Sequence, residues 1–288
     1  MAPSSILEDL IMVIPDIFDH HSPKSHFYTF LKRIARREVE GLFNSSEIKP
    51  VYFQPFGSLY FPYFKMGAVD SLNLFDIDEL IIFSFYFANR GKYKKVMDIG
   101  ANIGLHSLVL NKCGYEVFAF EPDPQHFKIL RRNIELNEGK AIHANNTAVS
   151  NKSGEMEFIR VLGNTTSSHL AGAKKNPYGK LESFQVAVVD INQYMNDMDL
   201  IKIDAEGHEK EIILSTKKDR WLKTDAFVEV ENDDNAKAIY NYFKGSPINL
   251  FSQKTNWAKV ESLEDMPTVY RDGSLFISSK KQMPWSVH

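Results

Sequence analysis

The sequence predicts an α/β fold built around a mostly parallel β-sheet. From residue 94 onward, short apolar runs alternate with amphipathic helical segments. The runs lack the alternation of polar and apolar residues that is typical of a half-exposed strand, which indicates strands buried on both faces. The chain has 288 residues, of which 43% are hydrophobic and 25% charged, so it is long and apolar enough to bury such a sheet.

Composition excludes several kinds of site and partner. The single cysteine, Cys113, rules out an intramolecular disulfide and a thiolate zinc cluster. The net charge of −3 gives no bulk basic surface, so no nucleic-acid partner is expected. Acidic residues and Pro15 interrupt the N-terminal apolar stretch, and no apolar run reaches the length of a transmembrane helix. We therefore expect no signal peptide, no membrane span and a cytoplasmic location.

The first part of the chain is predicted to be an N-terminal extension, residues 1–70, before a sheet domain over residues 71–288. Residues 1–45 have helical spacing, and residues 50–66 alternate aromatics with Gly and Pro, which is typical of short strands and turns. A further helix is predicted over 75–89, with Asp76 or Asp78 near its start. Twelve of the 36 aromatic residues lie between Tyr52 and Phe87.

The elements of the sheet domain follow in order. KKVMDIG is a strand run, IGLHSLVLNKC is helical, EVFAFEP is a strand run and PQHFKILRRNIELN is helical. Further strand runs are MEFIRV, FQVAVVDI, LIKIDAEG, AFVEVEN and SLFISS. Ligands of open parallel sheets bind at the carboxyl ends of the strands, so the residues that end each run are the candidates for a site.

The first strand run ends in a glycine turn, Asp98-Ile-Gly100-Ala-Asn102-Ile-Gly104. Glycines at a strand-to-helix turn let the backbone approach a ligand closely. The spacing is not the GxGxxG of dinucleotide sites, and a carboxylate two residues before the first glycine would repel a pyrophosphate. It would suit a cationic ligand such as S-adenosylmethionine, which carries a sulfonium and an ammonium. The alternative is a tight packing turn.

The second strand run ends in Phe120-Glu121-Pro122, with Glu121 23 residues after Asp98. A carboxylate at this spacing is expected to accept hydrogen bonds from a ribose diol. The alternative is that Glu121 only favours the dipole of the next helix.

A later strand run ends in a cluster of ionisable groups, Asp204-Ala-Glu206-Gly-His208-Glu209. Such crowding at a strand end is common at active sites. For Glu209, a charge on the first turn of the following helix is the simpler interpretation.

Taken in order, DIGANIG, FEPDP and IKIDAEGHE resemble the FkbM family of S-adenosylmethionine-dependent methyltransferases, and the stretch NTAVSNKSGEMEF also resembles it. The similarity runs from about residue 70 to 280. It implies a Rossmann-like class I methyltransferase fold, with a mostly parallel seven-stranded sheet and a C-terminal antiparallel hairpin. It also implies methyl transfer, usually to a hydroxyl of a sugar or natural product.

The resemblance assigns roles by position. The methionine part of the cofactor would be held by Asp98, Gly100, Asn102 and Gly104, and the ribose by Glu121. Asn146 and Ala148 would form the adenine-side loop, and Asp204 and Glu206 would line the floor of the site.

A sugar hydroxyl is a poor nucleophile, so a general base is expected. The candidates are His208, Asp204, His169 and Glu231. An alternative mechanism uses Mg²⁺, with Asp204 at one strand end and Glu231 and Asn232 at the next as oxygen ligands.

The expected acceptor is a small molecule or a glycan. The N-terminal extension would bind it or mediate homo-oligomerisation, and the aromatics from Tyr52 to Phe64 would either stack on a sugar or form core. An NAD-dependent sugar-modifying enzyme and a non-catalytic cofactor-binding module are the alternative functions.

Overall fold

The computed structural model describes residues 5–174 and 179–285, and the helices of this part lie largely where the sequence predicts them. Their bounds are α1 Ile6–Val13, α2 His26–Phe43, α3 Ile77–Ala88, α4 Leu105–Lys112, α5 Pro124–Leu136, α6 Glu209–Leu214 and α7 Asp233–Phe243. Asp76 caps the start of α3, as predicted, by accepting the backbone N–H of Ile77 at 2.8 Å. None of the helices in these ranges has the length and apolarity needed to cross a membrane.

The strands of the N-terminal part are short, and those of the sheet domain are longer. Their bounds are β1 Val51–Tyr52, β2 Ser58–Leu59, β3 Lys65–Met66, β4 Val69–Asp70, β5 Lys95–Ile99, β6 Glu116–Phe120, β7 Ile142–Asn145, β8 Ala148–Ser150, β9 Gly154–Val161, β10 His169–Leu170, β11 Leu181–Asp190, β12 Leu200–Ile203, β13 Asp225–Val228, β14 Asn249–Ser252, β15 Ala258–Lys259 and β16 Leu275–Ser278.

The main sheet has the order β15-β14-β16-β13-β12-β5-β6-β7. Neighbours from β7 to β13 are parallel, whereas β16 runs antiparallel to both β13 and β14. The predicted α/β class with a mostly parallel sheet is therefore confirmed, and β14 and β16 supply the antiparallel pair at its C-terminal end. The two-residue β15 makes the sheet one strand wider than the predicted seven.

A second sheet, of order β10-β9-β11-β8, departs from the prediction. The runs MEFIRV and FQVAVVDI were expected in the parallel sheet, but they lie in β9 and β11, which pair antiparallel from Leu181–Val161 to Val188–Gly154. The described part of the connection between them contains the short β10, which itself pairs antiparallel with β9. Antiparallel pairing follows from this connection.

The N-terminal helices and the main sheet share one hydrophobic cluster. Buried side chains of α1, α2 and α3 pack together with Val96 of β5, Phe227 of β13 and Phe276 of β16. Helix α3 is buried along nearly its whole length, which explains why its sequence is apolar on every face. The division at residue 70 thus does not coincide with a gap in the core, and the separate role of residues 1–70 stays a prediction.

The turn after α1 docks on the C-terminal part of the chain through His21. The Nε2–H of His21 donates to the carbonyl of Ile14 at 3.0 Å, and its Nδ1 accepts the indole N–H of Trp257 at 2.9 Å. Its ring also lies edge-on to Trp285, with ring centroids 5.0 Å apart. Burial lowers the pKa of His21 to about 4, so the ring is neutral at physiological pH.

The aromatic segment from Tyr52 to Phe64 contributes mainly to the core. Phe53, Phe56 and Phe61 are buried in the shared cluster, where the rings of Phe53 and Phe75 lie 5.7 Å apart. Tyr52 is 71% exposed. For the three phenylalanines, the interpretation as core is therefore the correct one.

Candidate active site

The site lies where the parallel strands β5, β6, β12 and β13 end at one edge of the main sheet. The glycine turn follows β5, and its backbone comes very close to the loop after β12. A Cβ added to Gly100, whose φ is 75°, would lie 1.9 Å from the carbonyl oxygen of Asp204. Only glycine fits this approach, because any side chain would collide with backbone.

Glu121 ties the glycine turn to the loop after β6. Its buried carboxylate accepts the backbone N–H of Asn102 at 2.7 Å and that of Asp123 at 2.8 Å. Burial raises the pKa of Glu121 to about 8. Asn146 holds the same loop from outside, since its amide donates to the carbonyls of Glu121 and Pro122 at 2.8 and 3.1 Å.

A second tie connects this loop to the second sheet. The guanidinium of Arg160, on β9, donates to both carboxylate oxygens of Asp123 at 2.7 and 2.6 Å and to Glu182 at 2.6 Å. Although burial opposes ionisation, Arg160 lowers the pKa of Asp123. The loop that carries Glu121 is thus fixed from two sides.

These loops enclose what we call the glycine-turn cavity. The glycine turn and Glu121 form one side, and the apolar side chains of Ala148, Val149, Phe158 and Leu170 form another. Six of the nine residues predicted to hold a cofactor line it: Gly100, Asn102, Glu121, Ala148, Asp204 and Glu206. Asn146 and Gly104 lie behind its wall, where Asn146 supports the loop carbonyls and a Cβ on Gly104 would lie 2.4 Å from Leu130 Cδ1.

Asp98 is also behind the wall, contrary to its expected place beside the cofactor. Its side chain is fully buried, and Oδ2 accepts the hydroxyl of Ser107 at 2.6 Å. Lys202 of the neighbouring β12 lies 4.0 Å from Asp98 Oδ1 and 3.1 Å from Asp204 Oδ2. Although burial alone would lower the pKa of Lys202, these carboxylates raise it, so the lysine stays charged.

An acidic cavity of about 270 Å³ adjoins the glycine-turn cavity. The two share Asn102, Thr166, Asp204 and Glu206 as lining residues. The far wall comes from the chain before the sheet, namely Val69, Asn73, Leu74, Asp76, Asp78, Glu79 and Ile82. The predicted aromatic platform from Tyr52 to Phe64 lines neither cavity.

An outer cavity of about 510 Å³ continues from the acidic cavity. It is lined by polar residues that include His169, Lys174, Glu229 and Glu231, together with the half-exposed Tyr270. Lys174 forms ion pairs with Glu206 and with Glu231, the latter at 3.0 Å. Burial, together with the neighbouring Asp204, raises the pKa of Glu206 to about 8 in spite of Lys174.

His169 faces both the glycine-turn cavity and the outer cavity. Its Nδ1 must carry the proton, because it contacts the carbonyl oxygen of Ser167 at 3.0 Å, and a carbonyl can only accept. Nε2 is left with a free lone pair and no partner among the described residues. Burial lowers the pKa of His169, so the ring is neutral near pH 7.

His208 is not brought to any of the three cavities. Its Nε2 forms a hydrogen bond with Ser150 Oγ at 2.7 Å, and the side chain is buried. The expectation that it stands beside an acceptor is therefore not met by this geometry. At the start of α6 its side chain turns inward to β8 rather than outward to the strand edge.

The oxygen ligands expected for Mg²⁺ are already engaged. Asn232 Oδ1 caps α7 by accepting the backbone N–H of Asn235 at 2.9 Å, and Glu231 pairs with Lys174. Within residues 5–174 and 179–285, no group of three or more acidic, His or Cys side chains is arranged to hold a metal ion. Asp204, Glu231 and Asn232 thus do not form a donor set together.

A family model described as Methyltransferase FkbM domain matches residues 98–245, which include the glycine turn, Glu121 and the Asp204 loop. The chain belongs to the FkbM methyltransferase family. It therefore carries a methyltransferase domain, and the predicted family is confirmed.

Two curated relatives agree with this assignment. Methyltransferase sdnD of Sordaria araneosa is 29% identical over 170 residues, and the match covers 46% of this chain and 64% of that protein. Methyltransferase 1 of Beauveria bassiana (strain ARSEF 2860) is 23% identical over 148 residues, and the match covers 44% of this chain and 59% of that protein. The chain thus spans less than two thirds of the length of either relative. A solved structure described as a SAM dependent methyltransferase from Agrobacterium tumefaciens is 11% identical, with a TM-score of 0.43 over 81% of this chain and 70% of that one.

Sequence reasoning missed three polar groups of this FkbM methyltransferase. Lys202 and Glu229 line the acidic cavity from β12 and the end of β13. Glu79 of α3 lines it as well and accepts a 2.7 Å hydrogen bond from Nε2 of His106, whose Nδ1 lies 3.2 Å from the hydroxyl of Tyr86. The charged side chain inside an apolar strand, Lys202, was the one signal in the sequence that pointed to this cluster.

Proposed function

We propose that this chain transfers the methyl group of S-adenosylmethionine to a hydroxyl group of a sugar or another natural product. The observation that carries the proposal is the meeting of two cavities at Asp204 and Glu206. One has the glycine turn and Glu121 of a cofactor site, and the other is polar and separate from it. A transferase needs such a pair, because cofactor and acceptor must lie side by side.

The residues of the glycine-turn cavity fit S-adenosylmethionine. A carboxylate offers about four acceptor positions, and Glu121 uses two of them for backbone N–H groups, which leaves capacity for the ribose hydroxyls. The apolar wall around Phe158 suits the adenine ring. Asp204 and Glu206 present carboxylates that suit the ammonium group. When bound, the cofactor supplies an activated methyl group.

The residues of the chain would then position the acceptor and take up its proton. We assign the proton to Nε2 of His169, which has a free lone pair at the edge of the cofactor site. The hydrogen bond from Nδ1–H to Ser167 fixes the ring orientation and tautomer. Of the other candidates, Asp204 is engaged by Lys202 and Glu231 by Lys174, so His169 is the base that the geometry supports best.

The test combines binding with product analysis. We expect calorimetry to detect S-adenosylhomocysteine binding in the micromolar range, and incubation with methyl-labelled S-adenosylmethionine to label hydroxylated small molecules from a cell extract. Mass spectrometry then identifies the methylated oxygen. The Glu155→Gln variant, which changes an exposed carboxylate of β9, is the matched control for the site variants. Absence of any S-adenosylhomocysteine binding would refute the proposal.

A further inference from the structure

The acidic cavity carries a large excess of carboxylates. Six of its lining residues are acidic and one is basic, Lys202; the acidic ones are Asp76, Asp78, Glu79, Asp204, Glu206 and Glu229. An anionic acceptor is disfavoured here, because the ionised carboxylates repel it and it would raise still further the pKa of the acids that are protonated.

Most of these carboxylates have partners within the protein. Lys32 pairs with Asp76 at 2.6 Å, Tyr28 donates to Asp78 at 2.6 Å, and His106 contacts Glu79 at 2.7 Å. Lys202 pairs with Asp204 and Lys174 with Glu206. Each of these five therefore has at least one partner within the fold, although Asp204 and Glu206 also line the glycine-turn cavity.

Glu229 is the exception. Its backbone is fixed, since its N–H donates to the carbonyl of Ile203 at 2.9 Å. Its carboxyl group has no hydrogen bond or ion pair with any residue of the described ranges, yet it lines both the acidic and the outer cavity. Burial, with Asp204 and Glu79 nearby, raises the pKa of Glu229 well above its usual value. Glu229 is half-buried, so its carboxyl group, which has no partner in the fold, is available to a ligand in either cavity.

A second group in the same cavity also lacks a hydrogen-bond donor. His169 is 1% exposed, lines the outer cavity together with Glu229, and has an unpartnered Nε2 lone pair. A ligand that satisfies both groups must present two donors. An ammonium group satisfies Glu229 best, because a cation beside it favours the ionised carboxylate that burial and the neighbouring acids otherwise disfavour.

We infer that the acceptor carries a protonated amine near the hydroxyl that is methylated, with the ammonium bound by Glu229 and the hydroxyl facing His169. The inference rests on the proposed function, because it assigns a substrate class to the same site. The chemical class is an amine-bearing polyol, such as an amino sugar in its free-amine form. A phosphorylated or nucleotide-linked acceptor is disfavoured by the same carboxylates.

The experiment measures acceptor binding on the protein saturated with S-adenosylhomocysteine, so that turnover does not interfere. The calorimetric probes are methyl 2-amino-2-deoxyglucopyranoside, its neutral N-acetyl derivative, and the 6-phosphate of that derivative. We expect the amine to bind about tenfold or more tightly than the N-acetyl compound, and the phosphate to bind most weakly. Glu229→Gln should bring the ratio of amine to N-acetyl affinity close to one, and Glu155→Gln should leave it unchanged.

Each other outcome is decisive. Three outcomes overturn the amine subsite: equal affinity for the amine and N-acetyl probes, no binding of any probe, or an unchanged preference in Glu229→Gln. In each of these cases, binding of S-adenosylhomocysteine to the protein still upholds the proposed function. Loss of S-adenosylhomocysteine affinity in Glu229→Gln would assign the carboxylate to the cofactor and also overturn the subsite. If the wild-type protein fails to bind S-adenosylhomocysteine, the proposed function falls, and the subsite falls with it.

Discussion

Replacing Glu121 by glutamine changes a single atom of the proposed cofactor site. The carboxylate accepts backbone N–H groups from two different loops, at 2.7 Å from Asn102 and 2.8 Å from Asp123. An amide keeps one acceptor oxygen, but its NH₂ group can only donate. One of the two N–H groups therefore loses its acceptor. A ribose hydroxyl of the proposed cofactor loses a charged acceptor.

The magnitude follows from these contacts and from the titration of the group. A hydrogen bond to a charged group contributes about 1.5–3 kcal/mol, so loss of one such bond to the ribose should weaken binding by about 10- to 100-fold. Since the pKa of Glu121 is about 8 in the free protein, most of the carboxyl is protonated at pH 7. Hydrogen bonds from the cofactor favour the ionised form, so binding should release a proton and tighten as the pH rises toward 8.

Calorimetry with S-adenosylhomocysteine in buffers of different ionisation enthalpy measures both effects. Wild-type protein should release protons on binding at pH 7, and Glu121→Gln should bind more weakly and release about one proton fewer. Glu206→Gln serves as a comparison, because the pKa of Glu206 is also about 8. Its contribution to the proton release must be separated from that of Glu121. An unchanged affinity and proton release in Glu121→Gln would refute the ribose assignment.

The remaining predictions concern the base, the glycine turn and pH stability. His169→Ala should lower kcat by about 10²- to 10⁴-fold and retain the affinity for S-adenosylhomocysteine. His208→Ala should lower Tm but leave the kcat of the folded protein near wild type. Equal losses of kcat for the two variants in steady-state assays would contradict the assignment of the base to His169. Gly100→Ala should reduce the free energy of unfolding by several kcal/mol, as measured by denaturant titration, because its Cβ would lie 1.9 Å from a backbone oxygen. Gly57→Ala is the control: φ is 82° there and nothing lies within 4 Å, so only conformational strain should reduce its free energy of unfolding. Similar losses for the two variants would rule out the collision. Burial raises the pKa of Glu209 to about 8 in the folded protein, so its contribution to stability is present at acid pH and is lost as the pH rises through 8. The Tm of Glu209→Gln relative to wild type should therefore increase between pH 5 and pH 8. A difference in Tm that does not depend on pH would argue against the raised pKa of Glu209.

The sequence sufficed for features that depend on consecutive residues. The ends of β5, β6 and β12 could be read from short motifs, since parallel strands bring their carboxyl ends to one edge whatever the intervening helices do. That is why Gly100, Glu121 and Asp204 were predicted to lie together and line one cavity. The cap at Asp76 was equally local.

Features that depend on distant segments could not be read in this way. The bond between Glu79 and His106 joins α3 to α4, and no spacing along the chain indicates that these side chains face each other. The pairing of β9 with β11 likewise depends on how a loop reverses. The inward turn of His208 depends on a single rotamer, which the position of a residue at a helix start does not determine.

The docking of His21 against Trp257 and Trp285 has a practical consequence for anyone handling this protein. The family match begins at residue 98, so the N-terminal segment looks dispensable from that match alone. His21 of this segment nevertheless packs against Trp257 and Trp285 near the other end of the chain. Removing the segment would expose both indole rings and leave the indole N–H of Trp257 without its acceptor. A shortened version starting near residue 70 is therefore a poor choice for expression. Affinity tags and fusion partners are better joined with residues 5–70 left intact.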